Sequence, residues 1–333
     1  MRALAWGLLA VGAVACKGPA PSASDNSSAA APPEPPLAKA SASSPAPVAS
    51  VETAPAPRLS LEGTVATGKL LKLAHESDGW VGELERRPPA RVWVSVATKQ
   101  QPLVPRGRAA HALIAEIVAP GVVAPTALRA MTVAELSQAS DAAAKKRLKR
   151  EARVLANGTV EVTLTLAPAP ALTRVELTSN DEASVVRTWE RLLGARETIP
   201  DGERLGLAQY QALLAIDHIS GNAARVGVFR HDKTGRITAA EGNEAFSPTP
   251  REGALNEALA RLSRHMTYSK SLDDRLAKLD RESLERALGF GSPPSLLVTP
   301  KQLEECLDRA QNIRRLIAER VKKRGADKAL ALP

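Results

Sequence analysis

The chain has 333 residues, enough for one large domain or two small ones, and 44% of them are hydrophobic, so a sizeable core is available. Aromatic residues make up only 3%, so that core must be mostly Leu, Ala, Val and Ile, and the net charge of +9 favours solubility or weak attraction to anionic surfaces. Beyond the N-terminus no segment is long and apolar enough to cross a membrane as a helix.

The N-terminus carries a compartment signal. Arg2 supplies a short positive region, and residues 3–14 are apolar, too short to span a bilayer but suited to a secretion signal. The segment ends in Ala13-Val14-Ala15-Cys16, which resembles the lipobox of bacterial lipoproteins, where the cysteine is acylated and becomes the mature N-terminus. Cleavage of a plain signal peptide after Ala15 is the alternative. Lipidation is favoured, because Cys16 would otherwise be a lone exposed thiol. Residues 1–15 then form the signal peptide, and the expected location is the cell envelope, lipid-anchored at the outer membrane. Cys306 shares a helical face with Leu303, Leu307, Ala310 and Ile313, and reads as a core residue. Residues 16–58 are Ala, Pro and Ser with scattered charges; they cannot bury enough apolar surface to order themselves and read as an extended tether.

Structured sequence begins near residue 59. Segments 59–73 (with a break at Gly68), 80–84 and 91–97 read as a small antiparallel sheet, the last alternating as Val92, Val94, Val96. A helix is expected over 108–118, stopped by Pro120-Gly121, followed by an extended 122–125. Thr132 with Glu135 makes a capping box that opens a helix through 155. This helix gathers Lys145, Lys146, Arg147, Lys149, Arg150 and Arg153 around a single acid, Glu151. Such a run is ordinarily a solvated face; its sharper reading is a grip on anionic lipid or lipopolysaccharide. No aromatics interleave in the run to stack on bases, so nucleic acid is not an expected partner. Asn157-Gly158 is a hairpin signal before a strand at 159–166, with 172–177 expected to return as its partner. Residues 59–178 thus read as a strand-rich lobe.

Helices dominate residues 179–333. Ser179 or Asn180 is expected to cap a helix ending at Gly194. A helix over 210–219 breaks at Ser220-Gly221-Asn222 into a loop with Arg225, then a strand (226–230), a turn (232–235), a strand (236–240) and the run 241–246. Helices follow near 254–266, 272–279 and 283–288. Thr299-Pro300 opens a last long helix with the stripe Leu303, Leu307, Ala310, Ile313, Ile317, Val321, ended by Gly325. The whole is a two-lobed α+β protein. A polar loop that follows a helix and opens a hairpin ending in an acid is the layout of a kinase catalytic centre, where the loop carries a base and the acid carries a metal.

The motifs that sharpen this reading are Asp217-His218-Ile219-Ser220-Gly221-Asn222, the run Glu241-Gly242-Asn243-Glu244-Ala245-Phe246, and Pro120-Gly121-Val122-Val123-Ala124-Pro125-Thr126. Leu262-Ser263-Arg264, residues 269–279 and the ending Arg324-Gly325 through Pro333 add to them. In order and spacing they resemble the atypical secretory kinases of the four-jointed and Golgi casein kinase type, and their bacterial, myxobacterial-type relatives. The resemblance implies a two-lobed protein-kinase-like fold over most of the structured chain.

It also implies roles, and here the residues depart from the pattern. The family's catalytic aspartate falls on Ala224, between Asn222 and Arg225, and a methyl group accepts no proton. The metal-binding aspartate falls on Glu241, a longer carboxylate, and the second metal ligand has no oxygen donor in its place. The phosphate-holding lysine is expected at Lys99, and its glutamate partner falls near Arg108, with Glu116 as a substitute further along the helix. Asp217, Asn222 and Arg225 read as remnants that cap a helix end, with Arg225 either binding an anion or pairing with Asp217 or Glu241. His218 and His231 with Glu241 match no standard zinc spacing and are expected to be satisfied surface histidines.

The sequence therefore supports a catalytically inactive kinase-like lipoprotein acting as a binding or regulatory module, with no cofactor and with an envelope protein or anionic ligand as partner. A surviving phosphotransferase using Lys99 and Glu241 with ATP and Mg²⁺ or Mn²⁺ is the enzymatic alternative. An envelope protein that binds anionic lipid through its basic helix is the third.

Overall fold

The computed structural model describes residues 63–333 apart from 77–78, 86–87, 178–183, 196–197, 224, 226, 241, 243, 248–251 and 291–294. The expected signal peptide, the lipidation site Cys16 and the tether at 16–58 lie outside the described residues.

A short helix α1 (Gly63–Thr67) precedes the strands β1 (Leu70–Glu76), β2 (Gly79–Leu84) and β3 (Ala90–Val96). Alternation decides which side of β3 is buried: Val92, Val94 and Val96 face the core. The helix α2 (Val104–Val118) begins four residues before the expected 108, because Pro105 sits in the first turn, where no N–H is needed. Then follow β4 (Thr126–Thr132), α3 (Val133–Ala139), α4 (Ala142–Glu151) and β5 (Thr159–Leu166). These strands form one antiparallel sheet in the order β1-β2-β3-β5-β4. The register sets Val94 beside Leu164 and Met131 beside Val160. Their buried side chains form a core that also takes in Leu73, Leu136 and Leu148.

Two sequence expectations are corrected here. The single helix over 132–155 is two helices. The Thr132–Glu135 capping box opens α3 as expected, but the Ser140 hydroxyl folds back on the Leu136 carbonyl (2.6 Å) and Asp141 caps a new helix through the Ala144 amide (2.7 Å). A second cap signal inside the run outweighed its helical composition. The segment 172–177 does not return along β5; β6 (Thr173–Glu176) pairs instead with β7 (Gly227–Arg230), setting Val175 beside Val228. With β8 (Ile237–Thr238), β6 and β7 make a separate three-stranded antiparallel sheet.

Between β6 and β7 lie α5 (Val185–Gly194), capped by Ser184, and α6 (Asp201–Ser220). The expected caps Ser179 and Asn180 fall outside the described residues. Helix α6 is twice the expected length. It is buried continuously from Gly206 to Ser220, and a helix enclosed on all sides shows no amphipathic period by which to read its ends.

The remaining elements are α7 (Glu252–Arg264), α8 (Lys270–Ala277), α9 (Arg281–Leu288), the paired two-residue strands β9 (Gly289–Phe290) and β10 (Ser295–Leu296), α10 (Pro300–Arg324) and α11 (Ala326–Ala329). Thr299 and Gln302 form a capping box on α10, and its Leu303, Cys306, Ala310, Ile313 and Ile317 enter a second core around α6. Cys306 is such a core residue, and burial pushes its thiol up to about 12. Helix α2 joins the two halves. It touches β3, β4 and β5 on one side and α6, α8 and α9 on the other.

Candidate ligand-binding cleft

The chain leaves α6 through Gly221, whose positive φ of 70° suits glycine and lets the Asn222 amide return to the Asp217 carbonyl (2.8 Å). That turn carries Asp217, Asn222 and Arg225 into one buried group. Arg225 forks onto the Asp217 carboxylate, with Nε on Oδ2 at 2.5 Å and Nη2 on Oδ1 at 2.7 Å. Asn222 donates to the same Oδ1 at 2.8 Å, and its own carbonyl oxygen accepts from the Glu244 amide at 3.2 Å. Both partners of the ion pair have side chains only 6% exposed.

A fourth member comes from α2. Ser220 Oγ donates its single proton to the Ile216 carbonyl (2.8 Å), so it accepts from His111 Nδ1–H (2.8 Å), and His111 Nε2 accepts from Arg225 Nη2 (3.0 Å). This assignment needs a neutral imidazole. Burial provides one: it pushes His111 down to about 4, outweighing the pull of Asp217, and the Arg225 charge adds to the lowering. Close backbone packing fixes the arrangement. A methyl group on Gly107 would sit 2.4 Å from the Ala245 carbonyl oxygen, and one on Gly242 would sit 2.6 Å from the His111 ring.

The three remnants expected from the sequence are thus brought together and taken up by each other. Arg225 pairs with Asp217, one of the partners expected for it. Ala224 and Glu241 lie outside the described residues. His218 is buried and bonds the Leu255 carbonyl through Nδ1 (3.2 Å), which corrects the expectation of a surface histidine. Among the described residues no three His, Cys, Asp or Glu side chains are grouped to hold a metal ion.

In the strand-rich half the expected Lys99–Glu116 pair does not form. Lys99 Nζ donates to the Arg150 carbonyl (3.0 Å), and Glu116 stands exposed on α2. The ion pair that ties α2 to the sheet is Arg106 with Glu161 of β5, closed by Nε–Oε2 at 2.9 Å and Nη2–Oε1 at 2.7 Å. Its polarity is the reverse of the expected one: the helix supplies the cation and the strand the carboxylate. Sequence reasoning missed Arg106, Glu161 and His111. A buried acid within the apolar alternation of β5 was the one local signal.

Between the sheet and the β7–β8 hairpin opens a cleft of about 940 Å³. Its lining includes Trp80 and Trp93 from the sheet and Phe229 from the hairpin; the Trp93 and Phe229 rings stand 5.9 Å apart across it. Seven cationic side chains line it against two carboxylates, Glu76 and Glu151, among the described residues. Lys99 and Arg225 both belong to this wall.

No protein-family model and no curated protein matches the sequence. Solved structures do match the fold. A hydra Fam20 structure with sugar aligns at a TM-score of 0.57 and 13% identity, over 80% of this chain and 90% of that chain. The Golgi casein kinase aligns at 0.56 and 13%, over 79% of this chain and 76% of that one, and its Mn/ADP-bound form at 0.55 and 13% with the same coverage. In this chain both Asp217 oxygens are engaged by Arg225 and Asn222, Lys99 bonds the Arg150 carbonyl rather than Glu116, and Glu241, the expected metal ligand, lies outside the described residues. The strand-rich N-terminal half, the helical C-terminal half and the cleft between them make this a kinase-like fold, shared with the Fam20 and Golgi casein kinase structures.

Proposed function

We propose that this chain is a catalytically inactive kinase-like module that binds an anionic ligand or an envelope protein through its cleft. The observation that carries the reading is the closed Asp217–Arg225–Asn222–His111 group. In phosphoryl transfer, positioning and charge neutralisation are nearly the whole of catalysis. Here the Asp217 carboxylate, in the last turn of α6, neutralises Arg225 of the loop that follows. The alanine at 224 adds to this, since no proton acceptor stands where the resemblance places the base. The Golgi casein kinase has been seen with Mn/ADP, so nucleotide is the ligand to test first. Incubating the full chain with ATP and Mg²⁺ or Mn²⁺ should give no hydrolysis and no phosphotransfer to casein. Metal-dependent transfer abolished by Glu241→Ala would overturn the reading and support a surviving phosphotransferase.

The cell envelope is the setting we propose, with Cys16 acylated and residues 16–58 as the tether. Metabolic palmitate labelling checks this: label should enter the chain and vanish in Cys16→Ala. Label retained in that variant, or absent from the parent chain, would remove the anchor.

A further inference from the structure

Helix α4 divides its side chains between two surroundings. Ala144 and Leu148, four residues apart, are buried, Leu148 within the strand-rich core. Arg147 and Arg150 bond the Glu151 carboxylate at 2.8 and 2.6 Å, and Lys99 bonds the Arg150 carbonyl at 3.0 Å. The one acid within the helix and a carbonyl of its last turn are thereby met. Lys145, Lys146 and Lys149 are exposed, and none makes a hydrogen bond or ion pair through its side chain among the described residues. They do not line the cleft. Arg153, in the extended segment that follows α4, is exposed and unpaired in the same sense, and Val154 beside it is 52% exposed.

The bland account is a solvated face whose cations complement the C-terminal end of the helix. It serves for Lys149, in the last turn. It does not serve for Lys145 and Lys146, which stand in the first half of the helix, nearer the positive end of its dipole, with no acid in the first turn. Nor does it explain the spacing. Lys145 with Lys149 and Lys146 with Arg150 are like charges four residues apart, and each pair repels along the helix surface. An external anionic surface relieves that repulsion. Residues 17–58 offer no net counter-charge, holding Asp25, Glu34 and Glu52 against Lys17, Lys39 and Arg58. The place where the chain enters is also informative. Helix α1 packs on β4 and β5, and Arg129 of β4 donates to the Gly68 carbonyl at 2.6 Å, while α4 packs on β1 of the same sheet. Residues 1–62 therefore join the molecule at the half that carries α4.

We infer that the solvent face of α4 is a docking surface for an anionic phospholipid bilayer, with Lys145, Lys146 and Lys149 meeting the headgroup phosphates and Arg153 extending the contact. Cations near a surface of negative potential each add a similar increment of attraction, and Val154 supplies an apolar group at the end of the run. The surface is separate from the cleft and does not depend on what the cleft binds. With Cys16 acylated as proposed above, docking becomes intramolecular. An attraction too weak to recruit a free protein then suffices to set which side of the strand-rich half meets the bilayer.

The test measures flotation of the full chain with vesicles of pure phosphatidylcholine and of an equimolar mixture with phosphatidylglycerol. Neutral vesicles register whatever the apolar residues 3–14 contribute, so the excess on mixed vesicles is the readout. Such an excess is expected, and it should shrink as NaCl is raised toward about 1 M, where the screening length falls to about 3 Å. Lys145→Ala/Lys146→Ala/Lys149→Ala should weaken partition onto mixed vesicles about a hundred-fold, as three contacts worth about five-fold each. Lys322→Ala/Lys323→Ala/Lys328→Ala removes the same charge from exposed positions of α10 and α11 and should bind as the parent chain does. Alanine keeps an exposed helix, so an unchanged melting temperature separates lost docking from lost folding. No excess on mixed vesicles, or equal weakening in the two triple variants, overturns the surface. An excess kept in the α4 variant but lost in Arg91→Ala/Arg174→Ala overturns it as well and moves the lipid to the cleft, which both arginines line. Binding of soluble polyglutamate in place of vesicles, lost in the α4 variant, would reassign the face to an acidic protein.

Discussion

Asp217 is the residue on which the loop turns, and its surroundings predict what its loss does. Asp217→Ala would leave Arg225 buried without its counter-charge and free the Asn222 amide. Breaking a buried pair in this way typically costs about 3–5 kcal/mol, which denaturant unfolding would read directly. Its neighbour His111 gives the group a pH dependence. The folded-state value of about 4 lies below the ordinary 6.5, so the unfolded chain binds the proton first. Stability contributed by the neutral ring is complete above about 6.5 and is lost as pH falls from there toward 4. The difference in acid unfolding between parent and His111→Gln should be confined to that window; parallel acid limbs would show that His111 is not the titrating group. Asp217, Asn222 and Arg225 were legible in the sequence because they lie within one turn and its loop, where spacing fixes neighbours. His111 was not, since it meets Ser220 across 109 positions of chain and local pattern carries no record of such a contact.

Elements are positioned by two features of α2 whose partners lie far away in the sequence. The Arg106–Glu161 fork holds the helix to an interior strand of the sheet, with the acid side chain 9% exposed. Arg106→Ala would leave that carboxylate buried and unpaired, at a cost of roughly 2–3 kcal/mol. The charge-swapped double variant Arg106→Glu/Glu161→Arg should recover part of the loss, and a double-mutant cycle would give the coupling. No recovery would mean that the helix is held by packing alone. One residue on, Gly107 lets α2 approach the Ala245 carbonyl. Gly107→Ala would place its methyl 2.4 Å from that oxygen and force backbone apart, destabilising by about 1–3 kcal/mol although alanine favours a helix. Strand alternation in β3 and β5 and the caps of α3 and α10 could be read from sequence because each is a short-range rule. The split between α3 and α4 was written there too, in Asp141, but a run of helix-forming residues masked it. The partner of β6 could not be read, because pairing with β7 spans two intervening helices and depends on the shape of the second core.

Across the whole molecule, α2 and the Trp93–Phe229 contact join a β-rich half to a helical half, and the cleft between them is lined by seven cationic side chains against two carboxylates among the described residues. Local rules of composition and spacing place the basic run on a helix but not against Trp80 and Trp93, which come from a sheet assembled by long-range pairing. That juxtaposition yields a prediction independent of any assumed chemistry. An anion that enters the cleft should stabilise the fold by mass action, raising the melting temperature with ligand concentration. Because the attraction is between partly exposed charges, the rise should shrink as NaCl approaches about 1 M, where the screening length falls to about 3 Å. The chain has four tryptophans, of which Trp189 is fully buried and Trp6 lies outside the described residues. A ligand in the cleft should therefore change the emission of Trp80 and Trp93, and the change should be lost in Trp80→Phe/Trp93→Phe while thermal stabilisation persists. Stabilisation that is insensitive to salt, or an emission change that survives the double variant, would place the ligand elsewhere.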